Sequence, residues 1–213
     1  MNLPNKLTVL RICMIPLFIA AYFLPFFWGG YVAVGIFVLA AFTDFLDGFI
    51  ARKYHLVTDL GKLLDPIADK ILVTAALFCV VATNPLSYLA VVGASQFDFA
   101  TFGTVFLVCC ATVILARELL IDAVRMIAAS KGIVVQANVF GKVKTVLQDV
   151  SLPMLVILSV CKVYSGTQTF WFVLGIIAII LFACATVMTI ISGVIYLVQN
   201  RTVFSGKPQQ DKE

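Results

Sequence analysis

Long apolar stretches separated by short polar ones set the pattern of this chain. Six of them, covering roughly 8 to 28, 31 to 52, 60 to 84, 102 to 129, 137 to 163 and 168 to 200, approach or exceed the length of a membrane crossing. A spanning helix needs roughly 20 residues at about 1.5 Å each. The pattern therefore predicts an all-α polytopic membrane protein with six transmembrane helices. It also predicts one membrane-embedded domain over 1–200 and a polar, mobile tail over 201–213. The run from Ile12 to Trp28 follows Lys6 and Arg11 as a signal peptide would. It is too long for that, and no small-x-small cleavage site precedes the next apolar stretch, so it is read as the first span.

Composition agrees: 62% of the 213 residues are hydrophobic and only 12% are charged, which excludes an ordinary water-soluble domain. The placement of Lys and Arg supplies orientation, because positive residues are retained on the cytoplasmic side. The connections Pro25 to Gly30 and Asn84 to Thr101 contain neither, and the third on that side carries only Lys162. The other fourteen lie toward the opposite side, so both termini are expected to be cytoplasmic. A net charge of +4 suits anionic lipid headgroups, and no basic soluble module is present to bind nucleic acid. The six cysteines all fall in apolar runs without metal-ligand spacing and are expected to be small core residues. Trp28 and Trp171 stand at span ends, where amphipathic rings favour the interface.

Hydrophobicity does not explain the stretch Thr43 to Lys70, TDFLDGFIARKYHLVTDLGKLLDPIADK, which packs five aspartates around the second and third spans. Asp44, Asp47, Gly48 and Ala51 fall at i, i+3, i+4 and i+7, one helical face with two acids and two small residues. Gly61, Asp65 and Asp69, spaced by four, make a similar face on the other side of the connection. Only Tyr31 to Thr43 precede Asp44 in its apolar run, so Asp44 is expected within the cytoplasmic half of the membrane. A carboxylate at mid-span costs on the order of 3 kcal/mol, and four together repel one another. Two hard divalent cations such as Mg²⁺ would neutralise all four and would also engage substrate phosphates. The competing reading pairs the acids with Arg52, Lys53, Lys62 and Lys70, but it leaves the small residues, and the groove they open, unexplained. Asp59 is expected to be a cap or loop residue, with Thr58 the rival cap, His55 a loop residue, and Pro66 the cause of a bend.

Written as a pattern, Asp44 to Asp69 is D-x2-D-G-x2-A-R-x8-G-x3-D-x3-D. It resembles the signature of the CDP-alcohol phosphotransferase family at all eight fixed positions. The resemblance implies a six-helix fold, often dimeric, in which CDP-diacylglycerol or a related CDP-alcohol binds beside two metal ions, Mg²⁺ or Mn²⁺, on the cytoplasmic side. It further implies that Asp44, Asp47, Asp65 and Asp69 are the metal ligands and that Asp69 deprotonates the acceptor hydroxyl. Asp44, Asp47, Gly48, Ala51, Arg52 and Gly61 would then line the cytidine diphosphate pocket.

The acceptor must be read elsewhere. Arg117, Arg125, Lys142 and Lys144 are basic, lie toward one membrane face and are not absorbed by the aspartates. An acceptor phosphate would account for them, with Arg offering a fork of donors and Lys a point charge. The alternative pairs Arg125 with Asp122 and Arg117 with Glu118 or another helix, leaving the lysines to lipid headgroups. NLPNKLTVLR with Pro16, and the run Ala116 to Gln148 containing ARE, Arg125 and GKVKT, resemble the phosphatidylglycerophosphate synthase branch. That implies glycerol 3-phosphate as acceptor, bound by Arg117, Arg125 and Lys142, with Thr8, Arg11 and Lys144 as further candidates. It also implies a homodimer in a bacterial cell membrane. Inositol phosphate, serine or phosphatidylglycerol as acceptor, and a divalent-cation transporter lined by the acids, are the rival readings.

Overall fold

The computed structural model describes residues 3–24, 28–53, 59–87, 99–131, 139–160 and 168–201. Within those ranges, the side chains at 3–4, 44–53, 59–60, 62–63, 99–100 and 168 are outside the description. Among the described residues six long helices follow one another: α1 Leu3–Phe23, α2 Gly29–Lys53, α3 Asp59–Thr83, α4 Phe99–Ser130, α5 Val139–Val160 and α6 Gln168–Gln199. No strand occurs among the described residues. Helix α1 begins and ends five residues before its apolar run suggested. Pro4 is tolerated in the first turn, where its missing N–H has no intrahelical role. At the other end, Pro25 disfavours helical geometry in the residue before it.

Among the described residues five helices are long and apolar enough to cross a membrane, and α2 is apolar from Gly29 to Thr43 before it reaches the aspartates. The chain is a multi-pass membrane protein. Its outer faces carry exposed Leu17, Leu39, Phe42, Phe78, Val105, Ile180 and Val187, which suit lipid rather than water. Helices α4 and α6, at 32 residues each, reach about 48 Å, well beyond a hydrocarbon core of about 30 Å.

Packing divides the chain into two compact units, Met1–Leu107 with Leu152–Ala178, and Val108–Ser151 with Ile179–Glu213. In the first, α1 packs against both α2 and α3. Its buried face includes Ile15, Phe18 and Tyr22, with the Phe18 ring 5.5 Å from that of Phe37 on α2. The Tyr22 hydroxyl hydrogen-bonds Thr83 of α3 at 2.9 Å and also bonds Ser159 of α5, so one phenol ties three helices. Such polar ties substitute for the hydrophobic drive that lipid removes. Asn84 closes α3 in a left-handed conformation, φ 41°, with its N–H donating to Val80 O at 2.9 Å. Its side-chain amide then donates to Thr104 of α4 at 3.0 Å.

In the second unit, the inward stripe of α4 is Ile114, Ile121, Val124 and Ala128, and that of α6 is Phe182, Ala185, Thr189, Ser192 and Tyr196. Thr189 and Ser192 return their hydroxyls to backbone carbonyls of their own helix, at 2.7 and 3.1 Å, which leaves no hydroxyl proton stranded in the core.

Gly30 marks a close approach of α2 to α5 in the first unit, since a Cβ there would lie 2.5 Å from Val160 Cβ. Gly30→Ala is therefore expected to destabilise by about 1–2 kcal/mol despite the better helix propensity of Ala. The measurement is thermal unfolding in detergent, with Val160→Ala in the same chain restoring most of the loss. An unchanged or higher Tm would mean that the two helices separate freely.

Candidate functional site

On α1, Asn5, Thr8 and Arg11 recur at three-residue spacing and are all buried. The Thr8 hydroxyl donates to Asp65 Oδ1 at 2.6 Å, joining α1 to α3. A hydrogen bond to a carboxylate is of the strong, charge-assisted kind. Asp65 Oδ2 has no partner among the described residues. The buried side of α3 continues through Gly61, Ala68 and Leu72, while Asp69 is exposed. Each four-residue step advances the helical face by about 40°, so the stripe Gly61, Asp65, Asp69 drifts from the packed side to its edge.

The backbone of α2 is helical through Asp44, Asp47, Gly48, Ala51 and Arg52, but their side chains lie outside the described residues. The buried register Ala33, Phe37, Ala40 leads by three- and four-residue steps to positions 44 and 47. Thus α1, packed on both α2 and α3, is the shared neighbour of the two acid-bearing helices. Among the described residues no three metal-binding side chains cluster by themselves. Asp65 and Asp69 offer hard carboxylate oxygens one turn apart, a donor chemistry that fits Mg²⁺ or Mn²⁺. Pro66 lies between them inside a continuous helix, and Asp59 is the first residue of that helix. His55, Thr58, Cys161 and Lys162 lie outside the described residues.

The second unit contains Arg117, Arg125, Lys142 and Lys144. Lys144, at 2% exposure, is buried and places Nζ 2.5 Å from Glu118 Oε1. The same carboxylate oxygen accepts from Arg117 Nη1 at 3.2 Å. Arg117 Nη2 donates to Ser192 of α6 at 3.2 Å, and the Arg117 side chain crosses Gly193, where a Cβ would lie 3.2 Å from Arg117 Cγ. Arg117 and Lys144 therefore form a brace around Glu118 that joins α4, α5 and α6. Lys142 is exposed, and no partner for its ammonium occurs among the described residues. Arg125 is exposed as a residue, yet its Nε–H donates to the Tyr196 hydroxyl at 3.3 Å.

The sequence model of the CDP-alcohol phosphatidyltransferase family matches residues 1–198. The chain belongs to this family. Among its curated relatives is the CDP-diacylglycerol–glycerol-3-phosphate 3-phosphatidyltransferase of Bacillus subtilis (strain 168), 38% identical over 169 residues, or 73% of this chain and 77% of that protein. Proteins of the same name from Rickettsia bellii (strain RML369-C) and Pseudomonas fluorescens are 34% and 33% identical. These alignments cover 92% and 82% of this chain, and 93% and 79% of the relatives. The CDP-alcohol phosphotransferase resemblance read from the aspartate signature thus agrees with a match that runs almost the whole length of the chain.

The expected site residues fall in both compact units. Thr8, expected with the acceptor phosphate, is bonded to Asp65, and Arg11 is fully buried on the same face of α1. Both belong to the first unit, whereas Arg117, Arg125, Lys142 and Lys144 belong to the second. Glu118 entered the sequence reading only as a neutralising neighbour of Arg117. Its contact with Lys144 spans 26 positions and has no local sequence signal. Ser192, Gly193 and Tyr196 fall within the last apolar span, where no local pattern marks them.

If Asp65 ligates a divalent cation, Thr8→Val, which keeps the shape and removes the hydroxyl, is expected to weaken Mn²⁺ binding by about tenfold or more, because a ligand's supporting hydrogen bond fixes its orientation. Titration of the purified protein with Mn²⁺, followed by electron paramagnetic resonance, measures this. Thr8→Ser is expected to stay near the parent, and equal affinity for all three proteins would refute the role.

Proposed function

We propose that this family member transfers the phosphatidyl group of CDP-diacylglycerol to glycerol 3-phosphate, giving phosphatidylglycerophosphate and CMP. The observation that carries this reading is the relative from Rickettsia bellii, which bears the name of that reaction and aligns over 92% of this chain and 93% of its own. The anchored Asp65 and the cationic second unit supply chemistry that the reaction requires.

In this reading Asp44, Asp47, Asp65 and Asp69 hold two divalent cations, Mg²⁺ or Mn²⁺. When bound, these cations neutralise the charge of the donor's diphosphate and of the departing CMP. Thr8 keeps one Asp65 oxygen engaged and so sets the direction of the other. Gly48, Ala51 and Gly61 leave room for the cytidine diphosphate, with Arg52 beside it. Asp69 accepts the proton of the acceptor hydroxyl as that oxygen bonds to the phosphorus bearing diacylglycerol. The bond from this phosphorus to the oxygen of CMP breaks as the new one forms, and CMP leaves with the electron pair. Arg125 and Lys142 contact the acceptor's phosphate, with Arg117 and Lys144 adding to the local positive potential around Glu118. The distribution of Lys and Arg supports a cytoplasmic active site and cytoplasmic termini in a bacterial cell membrane, and the family resemblance supports a homodimer.

Purified protein supplied with CDP-diacylglycerol, labelled glycerol 3-phosphate and either metal is expected to release CMP and label the lipid. Inositol phosphate, serine and phosphatidylglycerol in a parallel panel identify a different acceptor if one is preferred. No lipid product with any acceptor or metal would overturn the reading, and metal flux into proteoliposomes without CDP-lipid would favour a transporter. Asp69→Asn is expected to lower turnover by about 100-fold or more while the protein stays folded and inserted. Near-normal turnover in that variant would remove Asp69 as the base.

A further inference from the structure

We propose that Tyr196 is a positioning residue for the acceptor site, aiming the guanidinium of Arg125 at the acceptor's phosphate; the inference rests on the transfer reaction above. The two arginines of the second unit are held in different ways. Arg117 has both terminal nitrogens engaged, one by Glu118 and one by Ser192. Arg125 is held from the opposite end of its guanidinium: Nε donates to the Tyr196 hydroxyl at 3.3 Å, and its Cζ stands 5.8 Å from the centroid of the same ring. Its Nη1 and Nη2 have no partner among the described residues. That leaves the planar pair of terminal donors uncommitted among the described residues, a donor set suited to a phosphate.

Tyr196 is itself well anchored. It is only 3% exposed and packs with Ile121, Val124 and Leu197. Its carbonyl accepts from the backbone N–H and side-chain amide of Asn200, at 3.1 and 2.8 Å, near the end of α6. A free arginine side chain samples many rotamers, and ordering them on binding weakens affinity. Fixing Nε and resting the guanidinium near an aromatic ring removes part of that ordering before the acceptor arrives. The effect acts through Arg125 and falls on the acceptor alone, because neither residue belongs to the aspartate signature that serves the donor.

The test uses full-length protein and steady-state kinetics in both substrates. Tyr196→Phe keeps the ring and its packing but removes the hydroxyl. It is expected to raise KM for glycerol 3-phosphate about five- to tenfold, with kcat and the KM for CDP-diacylglycerol within about twofold of the parent. In an Arg125→Ala background the same change is expected to have no further effect on that KM, since its target is gone. A tyrosine that merely supported the fold would alter both KM values or kcat, and would act additively with Arg125→Ala. Either result, or an unchanged KM for glycerol 3-phosphate in Tyr196→Phe, would overturn the inference while leaving the reaction intact. Absence of transfer by the unaltered protein would overturn the reaction and this inference with it.

Discussion

A charged group carried into a hydrocarbon slab must bring its own partner, because lipid offers neither water nor counter-ions. Each compact unit of this protein meets that constraint with contacts between helices distant in sequence. In the first, Asp65 on α3 receives the hydroxyl of Thr8 on α1. In the second, Glu118 on α4 holds Lys144 of α5 and Arg117 beside it. In each unit these charged groups are thus built into helix packing rather than hung from loops, which limits their motion.

Neutral groups obey the same rule in a weaker form. The Tyr22 phenol joins Thr83 and Ser159 across three helices, while Thr186, Thr189 and Ser192 bond back to carbonyls of their own helix. Small residues permit the close approach that these contacts require, as Gly30 does against Val160 and Gly103 against Leu86, where a Cβ would lie 2.7 Å from Leu86 Cβ. With polar groups turned inward and Leu, Val, Ile and Phe turned out, the helices present lipid with an apolar surface.

The cationic residues of the second unit are not equivalent, although their sequence spacing treats them alike. Lys144 is buried and committed to Glu118, Arg117 is fixed at both terminal nitrogens, and Lys142 and Arg125 are exposed. A committed ion pair resists displacement, because removing one partner leaves the other charge buried without compensation. Under the proposed reaction, Arg125 and Lys142 are therefore the cations better suited to an incoming phosphate. The pairing of Arg117 with Glu118, read from the sequence as an alternative to phosphate binding, is present, yet its consequence is to divide the four cations into two kinds.

Local periodicity determined much of this protein. Apolar run length located the six described helices, three- and four-residue spacing set Asp44 with Asp47 and Asp65 near Asp69, and the eight fixed positions of the signature named the family. These features depend on a single helix or on short-range order, so they survive in a one-dimensional string. Tertiary structure alone decided that α1 is the neighbour shared by α2 and α3, that Asp65 is packed while Asp69 sits at the edge, and that Glu118 and Tyr196 hold the cations. Those outcomes turn on the rotation and depth of one helix against another. Residues separated by 57, 26 or 71 positions meet only after several helices have packed, and no pattern within any one helix records it.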